Sequence, residues 1–263
     1  MNDQSGSVDR ADPGRWWCDT HVHLHPRFEA GAWLDAASAN LAAAGARPGG
    51  GVLCLAEGAG VHAFRGLRER GAAGAWRFEA WGEHGLRAER EGCDAVGVIA
   101  GRQVRCGDGL EVLGLGRDFE LGDGGGLEET VDAVRAAGAL AVVPFGVGKW
   151  RGARGRAVRN LIDRGPADLA LADNAGRVGF GEPALLARAR AAGRTVLAGS
   201  DPLDLEGAER HAGRWGVVVD TPGGSAGCEA VLAALGAAGP NAATFGRRLP
   251  LVAAVTQQAR LRL

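Results

Sequence analysis

Three histidines occupy alternate positions of one short segment near the start of the chain. They are His21, His23 and His25, in the run Cys18-Asp19-Thr20-His21-Val22-His23-Leu24-His25-Pro26. Alternate side chains of a β-strand point to the same face, so this spacing predicts that the three imidazoles project together. Neutral imidazole is a common protein ligand of zinc and similar ions. The segment therefore predicts a metal site at the end of a strand; the alternative is a histidine-rich strand end that holds no metal.

The composition bounds the class of protein. The 263 residues carry a formal net charge of −1 and 46% of them are hydrophobic, which is typical of a soluble globular protein and indicates neither a nucleic-acid partner nor a membrane surface. No run of about eighteen apolar residues predicts a membrane span. The five cysteines are scattered without a Cys-x-x-Cys pair, which favours a reducing, cytoplasmic location. Residues 1–14 are polar and predict a disordered leader, residues 15–263 predict a single domain, and the oligomeric state stays open.

Short apolar strands alternate with amphipathic helices along most of the chain. Segments 51–56, 139–145 and 169–172 are predicted strands, and a predicted helix follows each of them. This alternation is typical of a parallel α/β architecture. Residues 76–116 break the pattern and predict an antiparallel β-meander.

Polar residues gather directly after the predicted strands. They are His21, His23, Glu57, Lys149, Asp173, Asn174 and Asp201. In a (β/α) barrel, the C-terminal ends of the strands and the loops that follow them form the active site. We therefore predict a distorted (β/α)7–8 TIM-like barrel that carries the meander. An open doubly wound sheet is the alternative, but it does not predict such residues after nearly every strand.

A glycine-rich loop follows the predicted strand 139–145. It contains Lys149, the only lysine of the chain, and the arginines Arg151 and Arg154 follow closely. Backbone amides and cations together form anion sites, so the loop predicts a site for a phosphate or carboxylate of the substrate. A solvated basic turn is the alternative. Asp173 and Asn174 can orient the substrate in the same way, or can form an ordinary turn.

With these residues placed, the chain resembles the PHP (polymerase and histidinol phosphatase) superfamily of metal-dependent phosphoesterases. Asp19-Thr20-His21-Val22-His23 is similar to the first metal motif of that family, Asp-x-His-x-His. Gly101-Arg102-Gln103-Val104 and the segment 110–114 resemble its Gly-x-Glu strand pair. Segment 136–144 resembles the helix and strand that precede an Ala-His-Pro motif, and Ala198-Gly199-Ser200-Asp201 resembles the closing Gly-Ser-Asp-Ala-His.

The chain also departs from the family pattern in three places. Gln103 stands where the family has a metal-binding glutamate, Phe145 stands near the expected histidine of Ala-His-Pro, and Pro202-Leu203 replaces the final Ala-His. The resemblance implies one or two divalent ions, and nitrogen and oxygen ligands together suit zinc, manganese or iron. The ligands that it implies are His21, His23, Glu57 and Asp201.

The activity that the resemblance implies is metal-dependent hydrolysis by a phosphoesterase of a small anionic substrate. A bound ion lowers the pKa of its water to about 7. Asp201 is the candidate general base if the geometry leaves it off the ion, and Lys149 is a second candidate catalytic residue. Two alternatives stay open. Amidohydrolase-type and TatD-type hydrolases share Asp-x-His-x-His and Gly-Ser-Asp-x-Pro, and a barrel that has lost ligands would bind a ligand without turnover.

Overall fold

A computed structural model describes residues 14–177, 181–250 and 253–254 of the chain. The α-helices of these residues are α1 (Ala30–Ala43), α2 (Ala63–Arg70), α3 (Leu127–Ala136), α4 (Gly152–Arg164), α5 (Ala184–Ala191) and α6 (Cys228–Gly236). The β-strands are β1 (Arg15–Val22), β2 (Gly51–Leu55), β3 (Ala72–Ala73), β4 (Trp76–Ala80), β5 (Gly85–Glu89), β6 (Val96–Ile99), β7 (Gly101–Arg105), β8 (Glu111–Leu115), β9 (Leu140–Pro144), β10 (Ala170–Asn174), β11 (Val196–Gly199), β12 (Trp215–Asp220) and β13 (Ala243–Gly246).

The strands form two sheets of mixed orientation. The eight-stranded sheet has the order β13-β12-β1-β2-β6-β5-β4-β3, and the five-stranded sheet has the order β11-β10-β9-β8-β7. Strands β1, β2 and β6 are parallel, and so are β9, β10 and β11. Strand β12 runs antiparallel to β1, and β8 runs antiparallel to both of its neighbours.

The prediction of a distorted (β/α)7–8 barrel is wrong. The described strands form two sheets with antiparallel members, not one closed ring of parallel strands. A parallel neighbour needs a crossover of about a dozen residues or more, and the chain between β4 and β8 has no such connection. Only residue 100 separates β6 from β7, and only residues 106–110 separate β7 from β8. The strands of the predicted meander are present but divided, since β4–β6 join the larger sheet and β7 and β8 join the smaller one.

Apolar side chains fill three layers around the sheets. The inner layer lies between the sheets and includes Trp16 and Cys54 from the larger sheet and Leu113 and Val142 from the smaller one. Helices α1 and α2 cover the outer face of the larger sheet. Helices α3, α4 and α5 cover the outer face of the smaller sheet. The polar ends of the strands are therefore the places where chemistry can reach solvent.

A β-bulge interrupts β1 directly before the histidines. Strand β1 pairs with β2 as Asp19↔Leu53, but the next pair is Val22↔Leu55. Three residues of β1 thus oppose two residues of β2, which shifts the alternation of side chains by one position. Val22, Leu53 and Leu55 share the helix-covered face, so the shift directs His21 away from that face. The bulge therefore decides which way the histidines point.

The two sheets meet where Glu57, after β2, forms a parallel bridge with Arg102 of β7, and again where β1 lies beside β11. We call this second contact, between residues 19–21 and residues 198–201, the β1–β11 seam. Thr20 Oγ1 is buried and donates a hydrogen bond to the carbonyl oxygen of Ala198 over 2.9 Å. The seam places the histidine segment of one sheet against the residues that follow the last parallel strand of the other.

The described part of the chain contains no helix that is both long enough and apolar enough to cross a membrane. The predicted leader, residues 1–14, lies outside the described residues except for Gly14.

Replacing Gly199 tests the close approach at the β1–β11 seam. A Cβ atom on Gly199 would lie 2.4 Å from the Cβ and 2.5 Å from the backbone nitrogen of His21. We expect Gly199→Ala to lower the free energy of unfolding by about 1–3 kcal/mol, because the backbone must shift to relieve the overlap. Urea denaturation followed by circular dichroism measures this change. Gly122→Ala is the control, because its Cβ would meet nothing within 4 Å. Equal stability of the two variants would contradict the close approach of Gly199 to His21.

Candidate metal centre

Three ligand atoms from distant parts of the sequence converge at the β1–β11 seam. The Nε2 atoms of His21 and His23 lie 3.1 Å apart. Asp201 Oδ1 lies 3.2 Å from Nε2 of His23 and 3.6 Å from Nε2 of His21. These three atoms form the one group of three or more such ligands that the described residues contain. His21, His23 and Asp201 can therefore hold a metal ion.

The distances between these three atoms are those expected for ligands of one metal ion. Ligands at about 2.0–2.1 Å from a tetrahedral ion lie about 3.3 Å from one another. The three observed separations of 3.1, 3.2 and 3.6 Å scatter around that value. The arrangement therefore needs little adjustment to place all three atoms on one ion.

A neutral oxygen adjoins the group from the other sheet. Gln103 lies on β7, and its Oε1 is 3.0 Å from Nε2 of His21. In the family pattern that the sequence resembles, this position is a metal-binding glutamate. An amide oxygen can still approach a cation, but it adds no negative charge to the group.

Two hydrogen bonds hold Asp201 in place, where its backbone has a φ of +45°. This is the left-handed region, which an aspartate adopts more readily than most residues. The backbone N–H of Asp201 donates to the carbonyl oxygen of His21 over 2.8 Å. Asn174, the last residue of β10, donates its side-chain N–H to Oδ2. Oδ1 is thus left to face the histidines.

The neighbours of Asp201 keep it ionised. Burial by itself would raise the pKa of Asp201. The adjacent imidazoles of His21 and His23 and the hydrogen bond from Asn174 outweigh burial and hold the pKa well below its usual range. An ionised carboxylate is the form that binds a cation.

The protonation of His21 also suits a ligand. Burial lowers the pKa of His21, and the Asp201 charge opposes this only in part, so the ring favours the neutral form with a free lone pair. Its Nδ1 is buried and has no hydrogen-bond partner in the described chain. Metal-bound imidazoles usually donate this second N–H to an oxygen. The missing partner therefore weakens the affinity that this ring can provide.

Asp19 belongs to the histidine motif, but it supports the backbone. It is fully buried; its Oδ1 accepts the N–H of Ser200 over 2.8 Å and its Oδ2 accepts the N–H of Gly213 over 2.9 Å. Burial raises the pKa of Asp19 to about 7, although these hydrogen bonds oppose the shift. The carboxyl group therefore ties β1 to two loops instead of facing the candidate ion.

Two further residues of the predicted site lie outside the group of three. Glu57 Oε1 accepts the N–H of Phe64 over 2.6 Å, so this carboxylate serves the first turn of α2. Burial raises the pKa of Glu57 to about 7. His25 Nε2 lies 3.0 Å from the carbonyl oxygen of Pro202, and its ring stacks on that of His23. Neither side chain joins the cluster of His21, His23 and Asp201.

The residues that were predicted to bind substrate each contact a different partner. Lys149 Nζ lies 2.6 Å from Oε1 of Glu111, the first residue of β8. Asp173 is buried in a two-pronged ion pair with Arg177. Asn174 holds Asp201, as described above, and Oδ1 of Asn174 accepts the N–H of Gly176. The structure therefore gives Asp173 a supporting role and brings only Asn174 to the metal group.

Glu111 is a residue that sequence reasoning missed. Its charge acts on His21, where it opposes the effect of burial on the pKa. Because β8 is antiparallel to its neighbours, its first residue lies at the same end of the sheet as the last residues of β9 and β10. The sequence predicted a strand here, within an antiparallel meander, but not its pairing with β9, so there was no reason to place Glu111 near the histidines.

Arg151 and Arg154 lie at the start of α4. Arg154 donates to the carbonyl oxygens of Asp108 and Gly148 over 3.5 and 3.3 Å, which ties the glycine-rich loop to the β7–β8 turn. Arg151 is the exposed residue directly before the helix.

No protein-family model matches the chain, and no curated protein matches it in sequence. Two solved structures are similar to it. The crystal structure of PsfC from Pseudomonas syringae PB-5123 has a TM-score of 0.59 and 16% identity, over 94% of this chain and 99% of that chain. The crystal structure of Endonuclease Q, in complex with a 27-mer duplex substrate with an abasic lesion at the active site, has a TM-score of 0.45 and 12% identity, over 84% of this chain and 56% of that chain.

The two similarities differ in what they support. The similarity to Endonuclease Q is too distant to support an argument about this chain. The similarity to PsfC covers nearly all of both chains, but its low identity limits it to the fold. This protein therefore shares the fold of PsfC.

Proposed function

We propose that this protein is a metal-dependent hydrolase, and specifically a phosphoesterase that acts on a small anionic substrate. The observation that supports this proposal best is the convergence of His21, His23 and Asp201. Two imidazoles and one carboxylate within ligand distance of one another match the donor types and spacing of a metal site. The resemblance of the histidine motif to the PHP superfamily points to the same chemistry.

The proposed ion is one zinc, manganese or iron ion per chain. Two nitrogen ligands and one carboxylate suit these borderline ions better than calcium or magnesium, which prefer oxygen. A second ion would need Glu57, the fourth ligand that the sequence predicted. The carboxylate of Glu57 instead accepts a hydrogen bond from the N–H of Phe64. One ion is therefore the arrangement that we propose.

The burial of the ligands suggests where a substrate would approach. The side chain of His21 is only 3% exposed, whereas those of His23 and Asp201 are 11% and 16% exposed. Substrate would therefore approach from the side of His23 and Asp201. When bound, the ion would supply a nucleophile at neutral pH and polarise the bond to be cleaved.

Asp201 fits the role of ligand better than the role of general base. Its Oδ1 faces the two histidines and its Oδ2 accepts the hydrogen bond from Asn174, so neither oxygen is free for substrate. Its pKa is also held below the usual range, which makes it a weak base. Lys149 is paired with Glu111, and we propose that this pair sets the charge near His21 and takes no direct part in proton transfer.

The alternative of a non-catalytic binding protein has specific support. Gln103 is neutral where the PHP family has a glutamate, and Nδ1 of His21 lacks a partner. Both features weaken metal binding. Activity and metal content must therefore be measured on the same protein.

Removing either histidine should remove the metal. We expect about one equivalent of zinc, manganese or iron in the purified protein, and less than a tenth of that in His21→Ala and His23→Ala, because two ligands cannot hold the ion. Elemental analysis measures the metal, and hydrolysis of a chromogenic phosphoester by the same samples measures activity. His62→Ala is the control, because His62 is exposed, pairs with Glu120 and is not one of the clustered ligands.

The outcomes of this experiment separate the alternatives. Metal and turnover that are lost together support the hydrolase. Metal that is present without turnover on phosphoesters, carboxyl esters or amides supports the non-catalytic binding protein. Absence of metal in the wild type, even after incubation with zinc and manganese, contradicts the hydrolase and leaves the non-catalytic binding protein.

A glutamate at position 103 should strengthen metal binding. The Oε1 atom of Gln103 already lies 3.0 Å from Nε2 of His21, so Gln103→Glu adds a negative charge beside the ion with little change of shape. We expect at least a tenfold increase in affinity, about 1.4 kcal/mol. Competition with a chromophoric chelator measures the affinity. Gln103→Ala should not show this increase; if both variants bind equally, position 103 does not adjoin the ion.

Asn174 is a positioning residue whose loss should weaken the metal site. Its side chain is the hydrogen-bond donor to Oδ2 of Asp201, so Asn174→Ala frees the carboxylate to rotate. Loss of such an outer partner typically lowers metal affinity about 10–100-fold. The same competition assay measures this, and thermal unfolding separates it from a general loss of structure. Asn160→Ala, on the exposed face of α4, is the control; unchanged affinity in Asn174→Ala would show that Asp201 needs no such support.

A further inference from the structure

The inner face of the smaller sheet carries polar side chains at the end where the metal group lies. Gln103 on β7 is paired with Leu113 on β8, so both share this face, and Glu111 lies two residues further along β8 on the same face. Residues that lie diagonally across an antiparallel pair are about 7–8 Å apart, so Glu111 lies about that far from Gln103. Glu111 is therefore beside the metal group, which agrees with the action of its charge on His21.

Strand β9 contributes no polar side chain to this face, because all five of its residues are apolar. Pro144 is paired with Ala172 of β10, which belongs to the inner layer, so Pro144 takes the inner-face position at the end of β9. The polar group at this place comes from the loop that follows. Lys149 Nζ lies 2.6 Å from Oε1 of Glu111, which brings the ammonium group to the start of β8. Lys149 therefore supplies, from the loop, the polar group that β9 lacks.

The side chain of Lys149 is positioned by its own loop. A Cβ atom on Gly146 would lie 2.5 Å from Cδ and 3.0 Å from Cγ of Lys149, so the aliphatic stem of the lysine rests on the backbone of Gly146. The backbone N–H of Lys149 donates to the carbonyl oxygen of Gly146 over 3.0 Å. The next residue, Trp150, is buried against Phe145. Turn, stem and ion pair together hold the ammonium group in one place.

The ammonium group of Lys149 keeps donors for a further partner. It carries three N–H donors, and Glu111 is the one side-chain partner that the described residues provide for it. The side chain is 33% exposed, so the remaining donors can reach a ligand that enters from solvent. An ammonium group is a compact point charge, and Lys149 is the single lysine in a chain that otherwise uses arginine.

The charges of the metal site give this ammonium group a function. Two carboxylates, those of Asp201 and Glu111, act on His21. A divalent ion would balance these two negative charges, and the three together would then have no positive charge to attract an anionic substrate. Lys149 supplies that charge at a partly buried place, where attraction between opposite charges is stronger than in water.

We propose that Lys149, held by Gly146 and Glu111, binds an anionic oxygen of the substrate's phosphate group, while a second oxygen of the same group binds the ion. Glu111 accepts one ammonium N–H, and the phosphate accepts another. That this phosphate belongs to the substrate rests on the proposed hydrolase. That Lys149 binds phosphate does not.

The single lysine permits a direct test. The full-length protein is labelled with [¹³C]lysine, so that one lysine Cε signal reports on Lys149, and the zinc-loaded protein is titrated with inorganic phosphate. We expect a saturable shift of that signal. Trimethyl phosphate is the control probe, because it has a phosphoryl oxygen but no charge, and it should give no shift. A shift with neither probe, or an equal shift with both, overturns the proposal.

The matched pair Lys149→Met and Arg156→Met tests the role of charge. Each variant removes one positive charge and keeps an unbranched side chain, but Arg156 is exposed on α4. We expect phosphate affinity, measured by calorimetry, to fall about tenfold or more in Lys149→Met, because a hydrogen bond between charged groups is lost. Arg156→Met should bind phosphate as the wild type does. Unchanged affinity in Lys149→Met, or an equal loss in both variants, overturns the proposal.

The matched pair Gly146→Ala and Gly122→Ala tests the position of the ammonium group. Gly146→Ala keeps the lysine but puts a methyl group where its stem lies, whereas a methyl group on Gly122 would meet nothing within 4 Å. We expect Gly146→Ala to bind phosphate more weakly than the wild type, with a smaller loss than Lys149→Met, and Gly122→Ala to be unchanged. Equal affinity of the two glycine variants contradicts the proposed position.

Metal content separates this inference from the proposed function. A protein that holds zinc but whose Lys149 signal does not respond to phosphate overturns this inference alone. A Lys149 response in a wild-type protein that binds no metal overturns the hydrolase alone. Where the wild type hydrolyses the chromogenic phosphoester, Lys149→Met should raise KM more than it lowers kcat, because Lys149 binds the phosphate group in substrate and transition state alike. A fall in kcat with KM unchanged contradicts this role.

Discussion

The contact between β1 and β11 is the constraint on which the candidate site depends. The ligands come from both sheets: His21 and His23 lie at the end of β1 in the larger sheet, and Asp201 follows β11 in the smaller one. Only the close approach of the two backbones brings them within 3.6 Å, and Gly199 permits that approach because it has no side chain. The hydrogen bond of Thr20 to Ala198 and those that Asp19 accepts hold the same contact. Stability and metal binding are therefore coupled at one place.

Some polar groups near this contact have hydrogen-bond or ion-pair partners within the protein for both of their oxygen atoms, and others do not. Asp19 and Asp173 are buried with all of their charge engaged by backbone N–H groups or by Arg177. They keep the loops in place. By contrast, the Nε2 atoms of His21 and His23 face one another and the carboxylate of Asp201. These are the groups that the proposed ion would bind.

The sequence predicted the individual elements better than their assembly. The apolar segments 51–56 and 139–145 are close to β2 and β9, because a short apolar run between turn residues is a local property of the sequence. The prediction of a barrel was wrong because the direction of a strand depends on the length of its connections and on the strands with which it pairs. Strand β12 pairs antiparallel with β1, and its own sequence is as apolar as that of a parallel strand.

The sequence by itself predicted His21, His23, Glu57 and Asp201 as candidate metal ligands, because residue type and position at strand ends are local properties. Only the tertiary structure decided which predicted residues act together. The bulge in β1 directs His21 and His23 toward Asp201, while Glu57 turns to α2 and Lys149 pairs with Glu111. These choices depend on hydrogen bonds and charges between residues far apart in the chain, and a periodic pattern carries no information about such partners.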